Sequence, residues 1–310
     1  DSPGLDLLAL LHGSEGMLGI VVEVTVQLLP IPKNIAVVLA AFNSVSEAAG
    51  TVNAIISQGI LPAGLEMMDR LAIKAAEAFV NVGYPLDAEG LLICELDGAA
   101  AEVQHQIEKL RLILDKNNAI QVRVATDEAE RMQLWLGRKA AFPAVGRLAP
   151  DYYCMDGTIP RSELAAVLAQ ITKFSEQHGL DVANVFHAGD GNLHPLILYD
   201  ANKAGEIERA EAFGADILNL CIEVGGTITG EHGVGVEKID QMCIQFTPEE
   251  LELFHGVKSA FDESRILNPG KAVPTLSRCA EFGAMHVHTD GSQQTHVGLN
   301  AQKYSDLERF

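Results

Sequence analysis

The chain has 310 residues, 48% of them hydrophobic, with 42 acidic and 22 basic side chains and a formal charge of −20. That length carries one large or two medium domains with enough mass for a core, and that charge repels phosphate backbones, which excludes nucleic acid as a natural partner. No apolar run approaches the roughly 20 residues of a membrane helix, and Asp1-Ser2-Pro3-Gly4 lacks the basic start of a signal peptide.

The five cysteines, Cys94, Cys154, Cys221, Cys243 and Cys279, are scattered and form no CxxC pair. They read as buried apolar thiols in a reducing cytoplasm, not as a disulfide framework or an all-cysteine metal site. The chain opens without Met, so it reads as a fragment.

A glycine-rich loop, His12-Gly13-Ser14-Glu15-Gly16-Met17-Leu18-Gly19, precedes an alternating segment over residues 21–29. There Val22, Val24, Val26 and Leu28 alternate with Glu23, Thr25 and Gln27, which predicts a strand. Pro30-Ile31-Pro32 then marks a domain boundary. Next come a strand at 35–42, a helix at 46–57, a strand at 65–68, a helix at 70–80, a strand at 91–96, a helix at 101–117 and a strand at 120–125. This is two strand–helix–strand units, the pattern of an α+β fold whose antiparallel sheet carries helices on one face. A helix follows at 126–141, with Asp127 and Glu128 in its first turn and Arg138 and Lys139 near its end. The remaining expectations are strands at 152–159, 182–187 and 194–199, helices at 161–178, 201–224 and 248–264, and a glycine-rich loop at 228–236. The tail from residue 280 reads as a polar surface strap.

The segment Phe186-His187-Ala188-Gly189-Asp190-Gly191-Asn192-Leu193-His194-Pro195 carries the strongest chemical signal. Asp-Gly favours a two-residue type I′ turn. With Asp190-Gly191 as that turn, His187 opposes His194 on one face, with Cβ atoms about 4.5–5.5 Å apart. Two imidazoles so placed can hold one metal ion; packing across a hairpin is the alternative. In Gly230-Glu231-His232-Gly233-Val234-Gly235, Glu231 can complete a two-histidine, one-carboxylate set suited to zinc, manganese or iron. His232 is then available as a general base, unless the loop is only a solvated turn. Arg138 is the candidate for an acid anion, because a guanidinium fork matches a carboxylate; a helix-end charge in water is the alternative. Arg147 and Tyr153 are weaker candidates. The loop at 13–20 precedes a strand, which argues against a dinucleotide fingerprint at a helix N-terminus, yet its amides could still wrap a cofactor. His286-Val287-His288 is at most an adventitious chelator.

Together these stretches resemble the C-terminal part of FAD-linked oxidases of the vanillyl-alcohol-oxidase type fold. The likeness is strongest to the bacterial glycolate oxidase D-subunit branch, with D-lactate and D-2-hydroxyglutarate dehydrogenases as cousins. It is carried by the loop from Gly13 to Ile20, by Gly137-Arg138-Lys139-Ala140-Ala141-Phe142-Pro143, by Asp151 to Pro160, by His187 to Pro195, by Gly230 to Gly235, and by Leu267-Asn268-Pro269-Gly270-Lys271. The resemblance implies a remnant of an FAD-binding domain at 1–32, a ferredoxin-like substrate and metal domain at 33–265, and a segment at 266–310 returning to the flavin side. It implies FAD contacts from Gly13, Ser14, Gly16, Gly19, Ile20 and Asn268, though Met17 stands where the family usually has threonine. It implies a divalent metal on His187, His194 and Glu231, with Arg138 on the substrate carboxylate and His232 as base. The substrate is then a small 2-hydroxy acid, oxidised to the 2-oxo acid with hydride passing to flavin N5. Cys154 stands where the hydroxyglutarate enzymes carry a basic residue, which points to a monocarboxylate such as glycolate or D-lactate. Further oxidase subunits, one an iron–sulfur protein, are implied as electron acceptors, with a cytoplasmic location at the inner face of the membrane. A metallohydrolase and a non-catalytic, metal-stabilised subunit module are the competing readings.

Overall fold

The computed structural model describes residues 4–275 and 278–279. It falls into two compact units, one formed by residues 25–232 and the other by the stretches up to Val24 and from Gly233 onward.

The larger unit is a seven-stranded sheet with antiparallel pairing throughout. Its strands are β1 (Asn34–Phe42), β2 (Gly64–Asp69), β3 (Gly90–Gly98), β4 (Gln121–Val124), β5 (Asp151–Cys154), β6 (Val182–Phe186) and β7 (Pro195–Tyr199), in the order β4-β1-β3-β2-β6-β7-β5. The α+β class and the antiparallel sheet expected from the sequence are therefore present. Helices α2 (Val45–Ser57), α3 (Arg70–Val80), α4 (Ala100–Lys116), α5 (Glu128–Val145), α6 (Leu164–His178) and α7 (Glu206–Glu223) follow or separate the strands; α1 (Leu7–Leu11) belongs to the smaller unit.

The helices start where the sequence supplies caps. Ser44 Oγ accepts from Glu47 N at 3.1 Å, Asp69 from Ala72 N at 3.0 Å and Asp127 from Glu130 N at 2.8 Å. Asn81 and Gly179, both left-handed, end α3 and α6.

One detail of the expected fold differs: helices occupy both faces of the sheet. Val37, Leu39 and Ala41 of β1 join Leu91 and Ile93 of β3 in a core with α3 and α5. Gly90, which points the other way, lies so close to α2 that an added Cβ would sit 2.9 Å from Ala48 Cβ. Residues 37–42 are consequently all buried, and each large side chain there contributes about 1.5–3 kcal/mol.

Three further expectations are corrected. Residues 21–29 form no strand. Val22, Val24, Val26 and Leu28 are all exposed, and no strand pairs with the segment among the described residues. Alternation marks a face that can be buried, but a strand also needs a neighbour for its amides and carbonyls. The cysteines are not all thiols, because Cys243 and Cys279 form a disulfide within the smaller unit. Their 36-residue separation leaves no local spacing signal, and α8 (Ile239–Gln245), which carries Cys243, was not foreseen. The bond removes the support that scattered thiols gave to a reducing compartment. Finally, the expected strand at 152–159 stops at Cys154, and the rest is a loop held by bridges from Thr158 to Asn192 and Thr227. In the smaller unit α9 (Pro248–Phe261) opens on a Thr247–Glu250 capping box. The polar tail and His286 and His288 lie outside the described residues.

Candidate metal and substrate site

The histidine segment folds back as expected, with a different register. The β6–β7 pairing continues through a His187–Asn192 bridge, so Asn192, not His194, opposes His187. Four residues, Ala188 to Gly191, make the turn. Asp190 N, at 3.1 Å, and Asn192 N, at 3.3 Å, both donate to His187 O. The two-residue turn loses because Gly189 N is drawn to Leu65 O of β2 at 2.9 Å. Gly191 has φ +75°, and an added Cβ would lie 2.2 Å from Ile159 O. The partner of His187 has moved by two positions, which preserves side-chain parity. His187 and His194 are therefore diagonal neighbours on one face, with ring centroids 5.1 Å apart.

Glu231 reaches both rings. Its Oε1 is 3.1 Å from His194 Nε2 and 3.7 Å from His187 Nε2. Ligand atoms about 2.0–2.2 Å from one metal ion stand at such separations from each other, so this donor set fits a divalent cation. His232 stacks on His194 at 4.9 Å, with its Nε2 3.8 Å from Glu231 Oε1. Among the described residues, Asp156, His194, Glu231 and His232 each offer a ligand-type atom, all within 4.8 Å of one another. His187 stands just outside this group but keeps its contact with Glu231.

Asp156, missed from the sequence, is better explained as the anchor of the loop than as a ligand. It is fully buried and accepts from Thr229 Oγ1 (2.7 Å), Gly230 N (3.1 Å), Glu231 N (3.2 Å) and His232 N (2.8 Å). Four charge-assisted bonds compensate a buried carboxylate and fix the backbone that presents Glu231 and His232. Gly230 is required there, since an added Cβ would fall 2.5 Å from Asn192 Oδ1.

Arg138 is buried on α5, not facing water at a helix end. It is paired with Glu66 of β2, another residue sequence reasoning missed. Arg138 Nε donates to Glu66 Oε2 at 3.0 Å, and Nη2 lies 2.8 Å from the same oxygen as a charge contact without hydrogen-bond alignment. The other oxygen, Glu66 Oε1, is 2.9 Å from His187 Nδ1. A carboxylate can only accept, so Nδ1 is the donor. That hydrogen bond holds the His187 imidazolium above the usual histidine range, against the opposing effect of burial. A metal ion would take the place of the proton at Nε2. The signal for Glu66 was a lone acid inside an apolar strand. Of the two weaker candidates, Tyr153 packs on Gly214 of α7 and Arg147 lies over the Phe79 ring at 5.2 Å.

The glycine-rich loop belongs to the smaller unit. Gly13 and Gly16 both have φ +73°, and Met17 N donates to Ser14 O at 2.9 Å. Asn268 Nδ2 donates to Glu15 O at 2.5 Å, which ties Asn268 to the loop. Glu15, not singled out beforehand, accepts from Val234 N (2.7 Å) and Gly235 N (2.8 Å). Ile20 is exposed, and Gly19 has open space where a Cβ would be. The loop is thus a tight turn, with glycines at two of its left-handed positions.

An antiparallel sheet thus brings two histidines at one hairpin, a carboxylate on an adjoining glycine loop and a buried arginine into one neighbourhood. The sequence profile of FAD linked oxidases, C-terminal domain, matches residues 31–272, and the chain belongs to that family. It is 62% identical over all its 310 residues to the glycolate oxidase subunit GlcD of Escherichia coli (strain K12), covering 60% of that protein. It is 39% identical to GlcD of Bacillus subtilis (strain 168) over 87% of this chain and 58% of the relative. Against a mitochondrial D-lactate dehydrogenase [cytochrome] of Arabidopsis thaliana the figures are 31%, 87% and 48%. The chain therefore spans about half to three-fifths of the length of these relatives. The solved structure of p-cresol methylhydroxylase with substrate bound shares the fold, with a TM-score of 0.60 at 15% identity over 79% of this chain and 53% of that one. Among the described residues no helix is long and apolar enough to cross a membrane.

Proposed function

We propose that this chain is the substrate and metal half of an FAD-linked dehydrogenase that oxidises a small D-2-hydroxy acid, glycolate or D-lactate, to the 2-oxo acid. The observation that carries the reading is the convergence of His187, His194 and Glu231 beside a buried arginine, with Glu66 joining His187 to Arg138. His187, His194 and Glu231 would hold the divalent metal, zinc, manganese or iron. When bound, the metal supplies polarisation of the 2-hydroxyl and FAD supplies the hydride acceptor at N5. Arg138, held by Glu66 through Nε, binds the substrate carboxylate through its terminal guanidinium nitrogens. His232 accepts the hydroxyl proton at Nε2, on a loop that Asp156 keeps in place. Cys154 in place of a basic residue favours a monocarboxylate.

In this reading residues 1–32 are the end of an FAD-binding domain, 33–265 the substrate domain, and the segment that opens at Ile266 belongs functionally with the flavin side. Gly13, Ser14, Gly16, Gly19, Ile20 and Asn268 contribute to the flavin site. Relatives named as oxidase subunits support partner subunits, which we take to include an iron–sulfur protein at the inner face of the cell membrane.

The test is anaerobic addition of glycolate or D-lactate to the full-length protein, with metal analysis of the same preparation. Bleaching of flavin absorbance by either acid is the expected result. Absence of bleaching with both sinks the substrate assignment. Turnover without flavin and without Arg138 would instead identify a metallohydrolase. A His194→Ala variant that loses stability or assembly but keeps activity would identify a structural metal.

A further inference from the structure

We infer that Glu66 is a positioning residue that sets the tautomer of His187 and the orientation of Arg138 at once, and so links metal binding to recognition of the acid. This rests on the function proposed above.

Glu66 lies 72 residues from Arg138 and 121 from His187 in sequence, and its two oxygens are divided between them. Its carboxylate is almost wholly buried, so removing it from water is costly unless both oxygens are satisfied. Oε1 accepts the Nδ1 hydrogen of His187. In the neutral ring that leaves the lone pair on Nε2, the nitrogen that faces Glu231. His194 has no such support: its Nδ1 is buried without a hydrogen-bond partner. A carboxylate behind a ligating imidazole fixes its ring and raises its basicity, and here only His187 has one. Oε2 takes the Nε edge of Arg138, which keeps the guanidinium from turning that edge elsewhere.

Glutamine separates this role from simple packing. It matches glutamate in size, but its amide nitrogen can only donate. Turned toward Arg138 it meets a donor. Turned toward His187 it requires Nδ1 to accept, which moves the ring proton to Nε2 and removes the metal's lone pair.

The experiment uses the full-length protein and Glu66→Gln, with unfolding curves to confirm the fold. Nitrogen-15 NMR of the metal-free protein, at a pH where His187 is neutral, reads the tautomer. The expected result is Nδ1–H in the wild type and Nε2–H in the variant. Chelator competition with zinc or manganese should show affinity lowered about tenfold to a hundredfold. Steady-state kinetics should show a raised KM for the acid. An unchanged tautomer overturns the inference, as does unchanged metal affinity. The NMR result does not depend on the substrate, so it can fail while the flavin still bleaches, or hold when it does not. If Glu66→Gln does not fold, the double variant Glu66→Met, Arg138→Met fills the space without charge, and the same loss of metal affinity is expected.

Discussion

The two ends of the sheet are built on different physics. Around β1 and β3 the fully buried positions are all apolar, which keeps both faces dry, and Ser44 and Asp69 cap the helices that follow β1 and β2. Around the turn that joins β6 to β7 and residues 227–232, polar groups are buried as well: Asp156, Asn192 and His194 are all shielded from solvent. There the chain is held by glycines whose missing side chains admit backbone, and by one carboxylate that gathers three amides. The first region stabilises the fold through area removed from water, which tolerates conservative exchange. The second depends on satisfied polar groups, where a lost partner costs more than a lost contact.

The largest effect should separate these regions by activity. Asp156→Ala removes the acceptor for three amides and a hydroxyl, each charge-assisted bond worth about 1.5–3 kcal/mol. We expect kcat/KM of the full-length protein to fall by at least about 100-fold, each tenfold corresponding to about 1.4 kcal/mol. Metal affinity should fall with it. Near-normal turnover in this variant would show that Glu231 and His232 are held by something else. Leu39→Ala is the counterpart in the dry region: denaturant unfolding should show a loss of about 2–5 kcal/mol, with metal affinity unchanged at low temperature. If both variants lose stability and affinity in proportion, the two ends form one cooperative unit and the contrast fails.

The same contrast explains what could be read from the sequence. Apolar runs and helix-length segments between breaks located β1 to β3 and α2 to α4 within about two residues, because those segments are governed by local pattern and burial. The histidines, Glu231 and Arg138 were legible as candidates, since those residue types at a turn, a glycine loop and a helix together suggest one ligand set, though each alone also had a bland explanation. Their supports were not. Glu66, Asp156 and Tyr84 act across long sequence separations, and nothing near them in the chain names their partners. The hairpin register failed for a related reason: the Asp-Gly preference is local, whereas Gly189 answers to a carbonyl on β2. Residues 21–29 carried the right period, but period alone does not provide a neighbouring strand.

Gly137→Ala probes the seam between packing and chemistry. Alanine favours a helix over glycine by roughly 0.5–1 kcal/mol. Here the added Cβ would sit 2.4 Å from the Tyr84 ring, whose hydroxyl donates to Leu134 O. Overpacking costs about 1–3 kcal/mol, so the clash should win and stability should fall. Arg138 is the next residue, so KM for the acid should rise while kcat changes less. Tyr84→Ala in the same chain should restore part of the KM. No rise in KM would mean that α5 absorbs the methyl without moving Arg138.

The smallest expected effect lies where the two regions join. Asp69 caps α3 and also accepts from Asn184 N and Nδ2 of β6, both at 2.8 Å. Burial pushes its carboxyl up from 3.8 to about 6, against the lowering effect of these hydrogen bonds. The folded state therefore binds this proton more tightly than the unfolded chain does. Its contribution to stability is fully present below the unfolded pKa near 3.8 and is lost as pH rises through about 6. Between about pH 7 and about pH 5 the gain on acidification should be about 1 kcal/mol. Other groups titrate in the same range, so the measurement is the difference in unfolding free energy between wild type and Asp69→Asn at each pH. A difference that grows in favour of the wild type on acidification supports desolvation as the stronger effect at this seam. The opposite slope would mean that the hydrogen bonds from Ala72 and Asn184 keep Asp69 ionised, and that the dry region tolerates a buried charge as readily as the site does.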